Sequence, residues 1–388
     1  MEPQRKRVFS LLLFSVLLAG IARPAYAIEV YRQGGKEVSL GLKMKLWYQS
    51  IQDAAPNGMD RSNDFALKAG ALYLKGRYNK TVAFGSEFDW LNLGTVDGVE
   101  HSSATTAVHN AWVGFNFMPQ LNFMTGKYRA AFSRYSLTSS ATAYLFPHNP
   151  FSAGAGLVSS GKDYRQTGVT VWGFLWKRFR YDAGVASGVP AALKGNDSSG
   201  SLQYLFRAEY TPLGIDKGYF HKNEWLGEKG KFLTLGAGFI ARKYNTAKNA
   251  FDNATYSAWT VDEYSEYPVG GGSLDTEAAY YYYNFDDPAN PNVQAWYAQA
   301  GYLLPGRLGP GRLQPAVRFD TFRPKGHDTA TKAWSAGLNY YIKGHNVEVQ
   351  IEYLNISNEA NASQNLAVFS GIKGKDADAV TVQLSFVI

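Results

Sequence analysis

A period of two is the property of this chain that most narrows its folding options. Residues 346–353 read NVEVQIEY, with Val347, Val349, Ile351 and Tyr353 at alternate positions and Glu348, Gln350 and Glu352 between them. Successive side chains of an extended strand point to opposite faces, so this segment is a strand with one apolar and one polar face. Two environments accept such a strand. A soluble sandwich turns the apolar face inward, whereas a transmembrane barrel turns it outward to lipid and lines a lumen with the polar face.

The pattern recurs along the chain. Val38, Leu40, Leu42, Met44, Leu46 and Tyr48 alternate with Ser39, Gly41, Lys43, Lys45 and Trp47. Val82, Phe84, Phe88 and Trp90 oppose Glu87 and Asp89, and Phe179, Tyr181, Ala183 and Val185 oppose Arg178, Arg180 and Asp182. Leu202, Tyr204, Phe206 and Tyr210 oppose Gln203, Arg207 and Glu209, while Leu233, Leu235, Ala237 and Phe239 oppose Thr234, Gly236, Gly238 and Arg242. Trp334, Ala336, Leu338 and Tyr340 are set against Lys332, Ser335, Asn339 and Lys343.

The first 27 residues carry a basic start (Arg5, Lys6, Arg7), an apolar run from Val8 to Ile21 and the small-residue box Ala25-Tyr26-Ala27. This pattern predicts a cleaved secretory signal peptide over 1–27, because the run is shorter than the roughly 20 residues a spanning helix needs. Residues 28–388 are then one exported domain. Mean hydropathy is −0.26, a value that says little about barrels, since only alternate residues meet lipid. Aromatics at 15%, 39 glycines and no cysteine favour strands, interfacial girdles and tight turns without disulfides. The formal charge of +7 falls to +4 without Glu2, Arg5, Lys6, Arg7 and Arg23, and no basic run of the kind nucleic acid requires is present.

Short turns at 78–80, 118–120, 176–178 and 343–345 alternate with longer polar connections at 52–63, 92–105, 188–200 and 358–376. Short turns on one rim and long loops on the other are the habit of bacterial outer-membrane barrels. Strand counting gives an all-β, antiparallel, up-and-down transmembrane barrel of sixteen strands (range fourteen to eighteen), provided 253–287 forms a hairpin turning at VGGGS (269–273). The closing AVTVQLSFVI keeps alternate apolar residues to Ile388, like the terminal strand read by barrel-assembly machinery, with Ile in place of the usual Phe.

The segment 128–162 follows the fifth strand and is the third long loop, so it is expected to fold into the lumen as a constriction. Arg129, Arg134, Lys162 and Arg165 are its candidate anion-binding residues, with Asp163 the acid among them. Lys43, Lys45, Arg178, Arg180, Arg207, Arg242 and Arg318 are the further basic residues assigned to the lumen, together with Lys332 and Lys343. Glu87, Asp89, Asp182, Glu209, Asp320, Glu348 and Glu352 are assigned to the same wall, which makes it mixed in sign.

Several stretches support a more specific reading: GKYRAAFSRYSLTSSATAYLFP (126–147), RQTGVTVWG (165–173), AWYAQAGYLL (295–304), LQPAVRFDTF (313–322) and AGLNYYIKGHNVEVQIEY (336–353). In these the chain resembles the phosphate-selective porin O and P family of Gram-negative outer membranes. The resemblance implies a sixteen-stranded, usually trimeric porin that passes anions through a basic constriction, here Arg129 and Arg134, in contact with outer-membrane lipid and lipopolysaccharide. The arginine ladder and lysine cluster of phosphate-specific members have no position-by-position match. Related barrels also sheathe multihaem cytochromes, an alternative in which the haems come from another polypeptide because no Cys-x-x-Cys-His site is present. A secreted carbohydrate-binding sandwich is the third reading. Catalysis has little support: the six histidines lie apart, and no nucleophile elbow, phosphate loop or dinucleotide fingerprint occurs. No cofactor is expected.

Overall fold

The computed structural model describes residues 27–96, 99–101, 105–138, 145–154, 164–187, 202–244, 254–286, 291–326, 328–357 and 376–388. Residues 1–26 of the expected signal peptide, Lys162 and the polar connections 188–201 and 358–375 lie outside them. The strands are β1 (Ile28–Gln33), β2 (Lys36–Ile51), β3 (Ser62–Arg77), β4 (Val82–Val96), β5 (Val99–His101), β6 (Thr105–Met118), β7 (Leu121–Arg129), β8 (Arg165–Leu175) and β9 (Phe179–Ser187). They continue with β10 (Leu202–Leu213), β11 (Phe232–Tyr244), β12 (Ala254–Val269), β13 (Gly272–Phe285), β14 (Val293–Leu303), β15 (Arg312–Pro324), β16 (Thr331–Tyr341), β17 (Val347–Ser357) and β18 (Ala377–Val387).

β1 folds back on the start of β2, and β5 extends the far end of β4. The other sixteen strands form a closed antiparallel ring in which each pairs with its chain neighbours and β18 pairs with β2 from Ala379↔Ile51 to Val387↔Lys43. Closure continues to the last residue, with Ile388 N donating to Leu42 O (2.9 Å) and Leu42 N to Ile388 O (3.2 Å). A ring without edges satisfies every ladder group internally, which is the condition for spanning hydrocarbon with strands. The 253–287 hairpin is present as β12 and β13, turning on Gly270 (φ 55°) and Gly271 (φ 80°), the paired positive φ values that a two-residue hairpin turn demands.

Polarity runs inside out. On β17, Glu348, Gln350 and Glu352 are fully buried, while Ile351 and Tyr353 are 44% and 47% exposed. On β10 the same division sets buried Gln203, Arg207 and Glu209 against exposed Leu202, Tyr204, Phe206 and Tyr210. Apolar side chains cover the outside and polar ones fill the inside, which excludes the sandwich.

Two lumen assignments are corrected. Arg178 lies exposed in the β8–β9 turn, where positive φ at Trp176 and Lys177 ends the alternation, and its guanidinium bonds Pro212 O. Lys332 is exposed on the same outer face as Trp334, because an even step from Trp334 cannot reach the inner face. The rims depart most from the short-and-long rule at one place. Between β10 and β11, on the short-turn rim, stands a connection of residues 214–231.

Candidate functional site: two inward connections in a polar lumen

The segment after β7 turns inward at once. Ser133 caps a single helical turn, Arg134–Leu137, through a reciprocal capping box with Ser136, and Arg134 N donates to Asp262 Oδ2 on β12 (3.1 Å). The described stretch 145–154 attaches to other parts of the ring. Asn339 Nδ2 donates to Leu145 O (3.0 Å), and Glu352 Oε2 accepts from both His148 N (3.0 Å) and His148 Nδ1 (2.8 Å). Arg318 Nη1 donates to His148 O (2.8 Å), and Asp320 accepts from Phe151 N (2.8 Å) and Ser152 N (3.2 Å). Gln49 on β2 lies 3.2 Å from His148 Nε2. The described residues therefore span the interior from β7 to β12 and on through β15, β16 and β17 to β2.

Residues 214–231 enter from the opposite rim and meet that segment. Tyr219 Oη donates to Arg129 O (3.0 Å), His221 N donates to Leu137 O (3.2 Å), and Arg134 Nη2 donates to the carbonyls of Lys222 (2.8 Å) and Asn223 (3.1 Å). The Arg134 guanidinium also lies over the Tyr264 ring, 3.7 Å from its centroid. His221 is set between Glu209 Oε2 (3.1 Å) and Asp216 Oδ2 (2.9 Å). Burial alone would lower its pKa, but the Glu209 charge and the bonds to Asp216 and Glu209 raise it above the ordinary imidazole range.

The wall around them is ionic and largely self-paired. Arg180 holds Asp182 through two 2.8 Å bonds, Arg207 joins Asp262 and Glu209, and Arg318 joins Glu352. Lys43 Nζ lies 2.7 Å from Glu87 and 3.4 Å from Asp89, Arg165 Nε donates to Asn110 Oδ1 (3.1 Å), and His109 Nδ1 is 3.2 Å from Asp89. Glu87, Asp89 and His109 have the spacing of a metal site, but the Lys43 ammonium already supplies their cation.

Of the predicted residues, Arg129 and Arg134 lie where the two connections meet, and Arg165 lies on the wall beside Glu87. Lys43, Arg180, Arg207, Arg242 and Arg318 are buried on the inward side, with Lys45 half-buried on β2. Sequence reasoning missed Asp262, His221 and Glu224. A signal existed for the first, since Val261 and Asp262 continue an alternation with Trp259 and Thr260; the inward course of 214–231 left none.

Sequence comparison decides the family. The phosphate-selective porin O and P profile matches residues 38–388. The chain belongs to that family. An uncharacterized protein of Aquifex aeolicus (strain VF5) is 25% identical to this family member over 292 residues, 69% of this chain and 67% of that protein. Among solved structures, this porin O and P chain is similar to OmpF of Salmonella typhi in complex with daunomycin (TM-score 0.62, 14% identity, 93% of this chain and 100% of that one). It is also similar to the anion-selective porin of Comamonas acidovorans (TM-score 0.59, 11% identity, 91% and 100%) and to the channel DcaP of Acinetobacter baumannii (TM-score 0.58, 14%, 93% and 100%). These likenesses are of fold: an outer-membrane barrel of the porin type. The cytochrome-sheath alternative finds no support in them, and 130–138, 145–154 and 214–231 occupy interior space a second polypeptide would need.

Proposed function

We propose that this porin is a passive diffusion channel for small hydrophilic solutes with a preference for phosphate-like anions. The observation that carries the preference is an opening of about 90 Å³ lined by Lys75 and Arg129 beside the paired Lys43 and Glu87. Net positive charge in a narrow, low-dielectric tube raises the local anion concentration. The other lumenal arginines contribute less, because carboxylates beside them cancel their field at a few ångströms. The family's description supports the same sign.

Bilayer recording in a salt gradient tests both levels. The expected result is stable conductance with an anion-side reversal potential that moves toward cations in Lys75→Glu and in Arg129→Glu. A cation-preferring pore would overturn the anion preference alone, and absence of conductance from folded protein would overturn the channel. Export is read as cleavage after Ala27, with Ile28 as the mature N-terminus, and assembly as a homotrimer in contact with lipopolysaccharide. Intact mass of the membrane-extracted protein and its cross-linked ladder check these two points.

A further inference from the structure

At the short-turn rim a cavity of about 620 Å³ lies between the β6–β7 turn, the end of β8 and the first residues of the 214–231 connection. Its size is that of a small-molecule site, for which about 300–1,000 Å³ is usual. The lining is mostly apolar, with Met118, Phe174 and Ile215 beside the Trp172 ring. It carries two charged groups, Lys177 and Lys217, both basic and both exposed. Trp172 is 7% exposed, and its buried Nε1–H has no acceptor in the protein.

Each of these features asks for a different part of one ligand. The apolar wall loses water when a hydrocarbon or aryl body covers it. The lysines flank the mouth with positive charge and no carboxylate among the lining residues. An inorganic oxyanion would leave the apolar wall wet, and a neutral hydrocarbon would leave the lysines unused.

We propose that this cavity binds an amphiphilic monocarboxylate, its body against Phe174, Ile215 and Trp172 and its carboxylate toward Lys177 and Lys217. Because Ile215 and Lys217 belong to the connection that also meets Arg129 and Arg134, an occupant bridges the rim and the inward segment. The proposal stands on equilibrium binding, so it is separable from the conductance reading above.

The test uses the full-length channel in lipid nanodiscs with 2-naphthoate as probe and 2-naphthamide as its neutral counterpart, followed by energy transfer from tryptophan to the naphthyl group. The expected result is saturable binding of the acid, with affinity about tenfold weaker in Lys177→Glu/Lys217→Glu and about tenfold weaker for the amide on the unmodified channel. Heat-modifiable gel migration confirms that the variant is folded; should the double variant not fold, Lys217→Gln alone is expected to weaken binding several-fold. Equal affinity for acid and amide, affinity unchanged by removing the lysines, or only non-saturable partition equal to that of empty nanodiscs would each overturn the assignment.

Discussion

Arg207 on β10 holds Asp262 on β12 across the intervening strand β11, with Nη1 to Oδ2 and Nη2 to Oδ1 both 2.7 Å. The bridge is possible because Gly236 on β11 has no side chain: a Cβ there would overlap the Arg207 guanidinium and the Asp262 carboxylate. One turn of alternation further along β11, a Cβ at Gly238 would overlap the carbonyl oxygen of Phe132. Two inward glycines therefore let the ion pair form and let the segment after β7 lie flat on the wall.

Loss of Asp262 is the most damaging single change expected in the lumen. Asp262→Ala leaves the buried Arg207 guanidinium with Glu209 as its carboxylate partner and removes the acceptor for Arg134 N, and breaking a buried pair from one side costs up to about 3–5 kcal/mol. The denaturant midpoint of the heat-modifiable band should fall accordingly. Asp262→Asn, which keeps an acceptor, should fall less.

Gly238→Val should act on the pore more than on the barrel. The added side chain displaces Phe132 and with it the capped turn at Ser133, while the β11 ladder to β10 and β12 remains. Single-channel conductance is expected to change and its open-state noise to rise. A trace indistinguishable from the unmodified protein would mean that residues 130–138 do not bound the conducting path.

Lys43→Gln should weaken the local positive charge. Without the ammonium, Glu87 and Asp89 face each other with His109 and Arg165 for company, so the opening lined by Glu87 loses a base and exposes acid. The reversal potential should move toward cations, and divalent cations should now inhibit, since the freed carboxylates and imidazole have ligand spacing.

Docking of the 214–231 connection should weaken as pH rises. Glu224 accepts from Gln314 Nε2 (3.1 Å) and Tyr341 Oη (3.2 Å), and burial pushes its pKa up to about 7, against the opposing charge of His345. Glu266, Asp275 and Glu348 face the same pocket, and Glu266 stands directly opposite Asp275 in the β12–β13 register. The docked state binds the Glu224 proton more tightly than the undocked state does, so docking is strongest near pH 4.5 and is lost progressively up to about 7. His345 adds to the same trend: burial would lower its pKa, but Glu348 and Glu224 raise it above the usual imidazole range, and its contribution disappears as pH rises through the raised value. Hydrogen exchange over 214–231 should speed up between those limits, and Glu224→Gln should flatten the profile.

The alternation of Val347, Val349, Ile351 and Tyr353 with Glu348, Gln350 and Glu352 was enough to define strands, faces and, with the turn spacing, the sixteen-stranded ring, because a period of two is a local property of the chain. The same reasoning located Arg129 and Arg165 near the lumen. It could not reveal that Arg134 would be covered by the carbonyls of Lys222 and Asn223, or that His148 and Glu352, far apart in sequence, would bond. Nor could it tell that 214–231, set on the rim of short turns, runs inward to meet the segment from the other side. Those contacts depend on which inward positions are glycine and on where buried charges find partners across the ring, and distances of that kind exist only once the barrel has closed.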